Sequence, residues 1–143
     1  MATLTFKGGI HPYDGKELTK DKPIRNVLPK GDLVYPMQQH IGAPAKPIVK
    51  KGDRVLAGQK IAEAGAFVSA PVYATVSGTV KAIEPRRVVT GEKVMSIVVE
   101  NDELYEETEA WEPLDVKKAS REEIIDRIKE AGIVGMGEAA QQA

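Results

Sequence analysis

Val49-Lys50-Lys51-Gly52-Asp53-Arg54-Val55-Leu56-Ala57-Gly58-Gln59-Lys60-Ile61, followed by Ala70-Pro71 and by Val76-Ser77-Gly78-Thr79-Val80, is the stretch that decides the fold. Lys51-Gly52-Asp53 is a tight-turn signal, Gly58 relieves a second turn, and Gly78 inside a strand pattern marks a close approach of two backbones. Working outward, Pro47-Ile48-Val49-Lys50 reads as a strand ended by the first turn, and Arg54-Val55-Leu56 leads away from it. Residues 75–82 have a period of two, with Val76, Gly78, Val80 and Ala82 on one face and Thr75, Ser77, Thr79 and Lys81 on the other. Leu33-Val34-Tyr35 is a short strand closed by Pro36. Val94-Met95-Ser96-Ile97-Val98-Val99 has the more continuous apolar character of a buried strand. Short strands at this spacing predict a mainly β domain, a small sandwich or barrel, with Val55, Ile61, Val76 and Val80 in its core.

Past residue 112 the pattern changes. Ser120-Arg121-Glu122-Glu123 is a capping box, with Ser120 at the N-cap and Glu123 three residues on. Ile124, Ile125, Ile128 and Ala131 mark one helical face, Glu123 and Arg127 are spaced for an i,i+4 ion pair, and Gly132 stands where a C′ glycine ends a helix. One helix is therefore expected over about residues 121–131. A lone helix of that length is marginal in water, so it must pack on the β-domain or on a neighbour.

Composition removes whole classes of function. The chain has 143 residues, 42% of them hydrophobic, enough for one compact domain. Aromatic residues are 5% and the net charge is −1, which argues against a nucleic-acid surface. Without cysteine there is no disulfide, thiolate nucleophile, or cysteine-ligated zinc or iron–sulfur cluster. The two histidines, His11 and His40, have no carboxylate at a ligand-like spacing and read as hydrogen-bonding partners of loop backbone. Asp14 and Asp53 read as turn-formers, and no Ser-His-Asp order, paired-carboxylate site or P-loop is visible, so no catalytic residue and no metal ligand is assigned. No apolar run approaches the roughly 20 residues of a membrane span, and no secretory signal opens the chain, so a cytoplasmic protein without direct membrane insertion is expected. Charge is unevenly placed: Lys46, Lys50, Lys51, Arg54 and Lys60 meet only Asp53, whereas Glu100, Asp102, Glu103, Glu106, Glu107, Glu109 and Glu112 meet no base. Such runs read as a solvated face or linker.

The turns and strands of residues 48–84 resemble the lipoyl/biotinyl-type barrel-sandwich hybrid, whose halves carry V-x-x-G-D-x-V-x-x-G-Q and A-P-x-x-G-x-V elements. A carrier of that type bears its cofactor on a lysine about eleven residues before the glycine matched by Gly78. Here that place holds Phe67, within Gly65-Ala66-Phe67-Val68-Ser69, and Lys60 falls seven residues too early. A biotinyl or lipoyl carrier thus lacks its attachment residue. Phe67 either caps the barrel core or forms an apolar hairpin tip suited to docking a following domain.

Four further segments occur in order: Thr5-Phe6-Lys7-Gly8-Gly9-Ile10-His11-Pro12, Gln39-His40-Ile41-Gly42-Ala43-Pro44, Phe67-Val68-Ser69-Ala70-Pro71-Val72 and Ala131-Gly132-Ile133-Val134-Gly135-Met136-Gly137. With them the chain resembles the N-terminal region of the C subunit (RnfC) of Rnf-type ferredoxin:NAD⁺ electron-transport complexes. The resemblance implies residues 1–112 as a barrel-sandwich β-domain with an N-terminal extension. Residues 113–143 are then a linker, the helix, and the truncated start of a flavin/NADH-binding domain. It also implies FMN, NADH and two 4Fe–4S clusters for the full-length subunit, none of them in this chain. The implied partners are the other Rnf subunits and the following flavin/NADH domain, on the cytoplasmic face of an ion-translocating membrane complex. Gly132, Gly135 and Gly137 are then an incomplete cofactor-binding glycine loop: a helix precedes it, and only three residues follow Ala140, so no helix N-terminus backs a phosphate. The expected role is a structural and docking domain without redox activity of its own, against a carrier or an independent adaptor domain.

Overall fold

The computed structural model describes residues 12–135; His11, Met136, Gly137 and residues 138–143 of the sequence reading lie outside them. After a 3-10 turn at Lys16–Leu18 come seven strands, β1 (Asp32–Pro36), β2 (Lys46–Pro47), β3 (Arg54–Val55), β4 (Lys60–Glu63), β5 (Val72–Tyr73), β6 (Gly78–Arg87) and β7 (Lys93–Asn101), and then α1 (Arg121–Glu130). They form a four-stranded sheet, β1-β7-β6-β3, and a three-stranded sheet, β2-β4-β5. Every pairing within the sheets is antiparallel. The fold is a mainly β barrel-sandwich hybrid followed by one helix.

The two sheets close on one apolar core that includes Val55, Val80, Ile97 and Val99 from the larger sheet and Ile61 and Ala62 from the smaller. Val55, Ile61 and Val76 are wholly buried and Val80 is 1% exposed, the core expected of the 48–84 turns and strands. Ser96 to Val99 of β7 are buried on both faces. The two turns hold the sheets in register. Gly52 and Gly58 have φ of +94° and +83°, conformations that a side chain resists. A Cβ on Gly78 would lie 2.1 Å from the Glu100 carbonyl oxygen, so β6 and β7 approach there as closely as backbones can.

Two local expectations move. The strand expected at 47–50 is confined to Lys46–Pro47, because the Asp53 carboxylate accepts the Lys50 N–H at 2.9 Å and bends the chain early. Ile48, left beyond the strand, is 51% exposed. The alternation over 75–82 fails at Ser77, which is wholly buried, and the register slips between Val80 and Ala82. Gln59 closes the second turn: its side-chain oxygen accepts the Leu56 N–H at 2.9 Å and its own N–H reaches the Leu56 carbonyl at 3.1 Å.

The helix starts and stops as its sequence dictates. Ser120 Oγ accepts from the Glu123 N–H at 3.2 Å, Glu123 Oε2 accepts from the Ser120 N–H at 2.7 Å, and Gly132 follows with φ +67°. The reciprocal bonds hold the Glu123 carboxyl below its usual range, the Ser120 backbone bond first. The expected Glu123–Arg127 ion pair does not form. Arg127 instead donates to the Glu112 carbonyl at 2.9 Å and lies 5.3 Å from the Trp111 ring centroid, a cation–π contact. Trp111 meets Tyr73 edge-on at 6.1 Å, and the Tyr73 hydroxyl donates to the Glu130 carbonyl while Lys60 pairs with the Glu130 carboxylate. Burial, and then the Glu130 charge, push the Tyr73 phenol up to about 12. Helix and sandwich are thereby joined.

Candidate functional site

The loop between β4 and β5, residues 64–71, occupies the place where a carrier domain presents its modified lysine. Hydrogen bonds tie it to the chain that follows β1. Ser69, 1% exposed, accepts the Gly65 N–H at 3.0 Å and donates to the Ala43 carbonyl at 2.8 Å. The Ala43 N–H in turn reaches the Val68 carbonyl at 2.8 Å. Glycine is needed on both sides of this junction: a Cβ on Gly42 would lie 2.2 Å from the Val68 oxygen, and one on Gly65 would lie 2.1 Å from the Pro44 oxygen. The His40 ring accepts the Gly42 N–H through Nδ1 at 2.9 Å, the loop-backbone role read from sequence.

Phe67 projects from this fixed loop with 89% of its surface exposed, and Val68 beside it is half exposed. The core-capping reading of Phe67 is therefore wrong: the core closes beneath the loop on Ile61, Ala62 and Ala74. Lys60 lies in β4 with its ammonium on Glu130, so the tip offers no amine for acylation.

A family model described as the RnfC barrel sandwich hybrid domain matches residues 4–104. The chain belongs to this family. It is 44% identical over 134 residues to the C subunit of the Na(+)-translocating ferredoxin:NAD(+) oxidoreductase complex of Acetobacterium woodii, with 93% of this chain and 30% of the relative aligned. It is 45% identical over 140 residues to the C subunit of the proton-translocating ferredoxin:NAD(+) oxidoreductase complex of Clostridium ljungdahlii, covering 93% and 29%. It is also 38% identical over 134 residues to the C subunit of the ion-translocating oxidoreductase complex of Vibrio cholerae, covering 92% and 17%. This RnfC-type domain spans less than a third of the length of these relatives.

The residues present do not fit the cofactors that the family resemblance implied. Iron–sulfur clusters need thiolates and the chain has no cysteine. Among the described residues, no group of three or more His, Asp or Glu side chains converges as a metal site would. The described part of the glycine loop lies at the C-terminal end of α1, where the helix dipole repels a phosphate. Its amides are engaged: Ala131 N–H on the Arg127 carbonyl at 2.9 Å and Gly132 N–H on the Lys129 carbonyl at 3.0 Å. Gly132 packs on Pro71, Gly135 is exposed, and Gly137 lies outside the described residues.

The charged runs turn out to meet each other. Arg54 of the basic run binds Asp102 at 2.8 Å and Glu106 at 2.7 Å. Ser77 Oγ donates to Asp102 at 2.7 Å and accepts the Glu106 N–H at 2.9 Å, and the Leu104 N–H also reaches Asp102 at 2.9 Å. The Asp102 carboxyl is held below the usual carboxylate range, by Ser77 first, then the Leu104 amide, then Arg54. The Arg54 guanidinium is held more firmly charged, by Glu106 and then Asp102. The acidic segment is thus strapped to the sandwich and continues as a parallel bridge between Ala57 and Glu107. Sequence reading treated the runs separately; their opposite signs were the signal that would have paired them.

Proposed function

We propose that this chain is the N-terminal structural and docking domain of the C subunit of an Rnf-type ferredoxin:NAD⁺ electron-transport complex, without redox activity of its own. In this reading residues 1–112 are the sandwich domain with its N-terminal extension, and residues 113–143 are the linker, the helix and the beginning of the flavin/NADH domain. The relatives' names place them in ion-translocating oxidoreductase complexes, and that setting supports the same assignment here. In it the domain sits peripherally on the cytoplasmic face; no helix among the described residues is long and apolar enough to cross a membrane. FMN, NADH and the two 4Fe–4S clusters belong to the rest of the subunit.

The pinned, lysine-free hairpin tip carries the reading. A swinging-arm carrier needs a reactive amine on a mobile tip, whereas this tip is bonded to the neighbouring loop and presents Phe67 to solvent. An exposed aromatic on a preformed loop is suited to contact rather than chemistry. Affinity capture from native cells, with the chain as bait, tests the proposal. Retention of flavin-containing or membrane subunits of the complex is expected, and Phe67→Glu is expected to weaken it at least tenfold. A lipoyl or biotinyl adduct in the intact mass would restore the carrier, and capture of no such subunit would leave a free adaptor.

A further inference from the structure

The end of the sandwich that carries Phe67 extends beyond that one loop. The chain after β1 adjoins both the β4–β5 loop and the β6–β7 turn there. His40 lines an apolar cleft of about 880 Å³ with Val34, Ile41 and Val89. It also lines a smaller cleft, about 250 Å³, with Pro71, Gly132 and Val134. Pro71 borders the groove beside Phe67 in turn, which makes the surface continuous. Ile41 is 77% exposed and Val89 wholly so, as large an apolar display as Phe67 itself.

These loops are built rather than loose. Gln39 Nε2 donates to the Pro36 carbonyl at 3.0 Å, and the turn at 88–92 is closed by Val88 N–H to Glu92 carbonyl and Gly91 N–H to Val88 carbonyl, both 2.9 Å. A preformed apolar face loses little entropy on docking. Its rim carries Arg87 and Glu92, balanced charges that attract neither nucleic acid nor an anionic bilayer.

The chain's own continuation already lies on this face. Ala131, Gly132 and Val134 line the smaller cleft, and a Cβ on Gly132 would stand 3.0 Å from the Pro71 carbonyl oxygen. The Tyr73 and Lys60 contacts to Glu130 fix where that segment runs. The relatives are more than three times as long as the part this chain matches. We infer that the three-loop end seats the polypeptide that follows this domain in the same subunit, with Ile41, Phe67 and Val89 as its apolar contacts. The inference rests on the reading of this chain as the N-terminal domain of a longer C subunit. Tethering raises the effective concentration to the millimolar range, so a modest apolar interface is enough to hold the two parts together.

Amide hydrogen exchange, measured on the 143-residue chain and on the subunit at its relatives' full length, tests this. Amides of Ile41, Val68 and Val89 should exchange at least tenfold more slowly in the longer polypeptide alone. Ile41→Glu combined with Val89→Glu, both at open positions, should abolish that protection, at Val68 as well, and leave the melting of the 143-residue chain unchanged. Equal exchange in the two polypeptides would overturn the inference. So would protection of the 143-residue chain that fades on dilution, which would show a second copy as the occupant. Protection that appears only when other subunits are added would overturn the intramolecular contact and leave the docking-domain reading standing. Failure of the longer polypeptide to join any such complex would count against that reading instead.

Discussion

Ser77 shows how much one hydroxyl can organise. Alternation placed it outside with Thr75 and Thr79, yet it is buried, because the 102–106 segment folds over it and uses its oxygen as both acceptor and donor. Ser77→Ala leaves the Glu106 N–H unsatisfied and should cost about 1–3 kcal/mol at pH 7 by urea denaturation. The pH dependence has a definite sign. Asp102 titrates lower folded than unfolded, so its contribution is complete above the ordinary carboxylate range and is lost as pH falls through the folded value. The gap between wild type and Ser77→Ala should therefore narrow between pH 7 and pH 3. A constant gap would remove Asp102 from the account. Val80 poses the simpler case: 1% exposed in an apolar core, it should lose several kcal/mol as Val80→Asp, since the charge would have no partner. Melting of that variant with the wild type would place Val80 on the surface and refute the register.

Among the elements, the helix was the most legible from sequence. A capping box and a C′ glycine act within one turn, so their residues carry the full signal, and the structure places α1 within one residue of the expected span. Ser120→Ala should weaken α1 by about 1 kcal/mol and speed amide exchange at Arg121–Glu123. Unchanged exchange there would remove the capping box from the account. What the helix touches was less legible. Arg127 has Glu123 at the right spacing but finds the Trp111 ring and the Glu112 carbonyl, partners set by how the linker crosses the sandwich. The strands divide along the same line. β7 was read because its apolar run is buried and β1 because Pro36 closes Leu33-Val34-Tyr35, whereas the outer part of the β6–β7 hairpin, 84–93, is mostly exposed on both faces and has no period to read. In the candidate site, the position of Phe67 at the tip was legible, but whether it caps the core or faces solvent was decided only by its exposure. The Ser69 clasp beneath it was not legible, since Ala43 is 26 residues away in sequence.

At the scale of the whole molecule, opposite charges, a cation–π contact and one apolar core bind the acidic strap and the helix to two small sheets among the described residues. Nothing among its described residues supplies a thiolate, a tip amine or a phosphate cradle, and its distinctive surface is an apolar end formed by loops. The role we propose for it is docking, without a bound flavin of its own. Titration of FMN at micromolar concentration with the 143-residue chain in excess, followed by flavin fluorescence, tests that claim most directly. The account predicts no saturable change in fluorescence, with or without NADH. Saturable quenching of one flavin per chain would contradict it and make this domain a minimal flavoprotein.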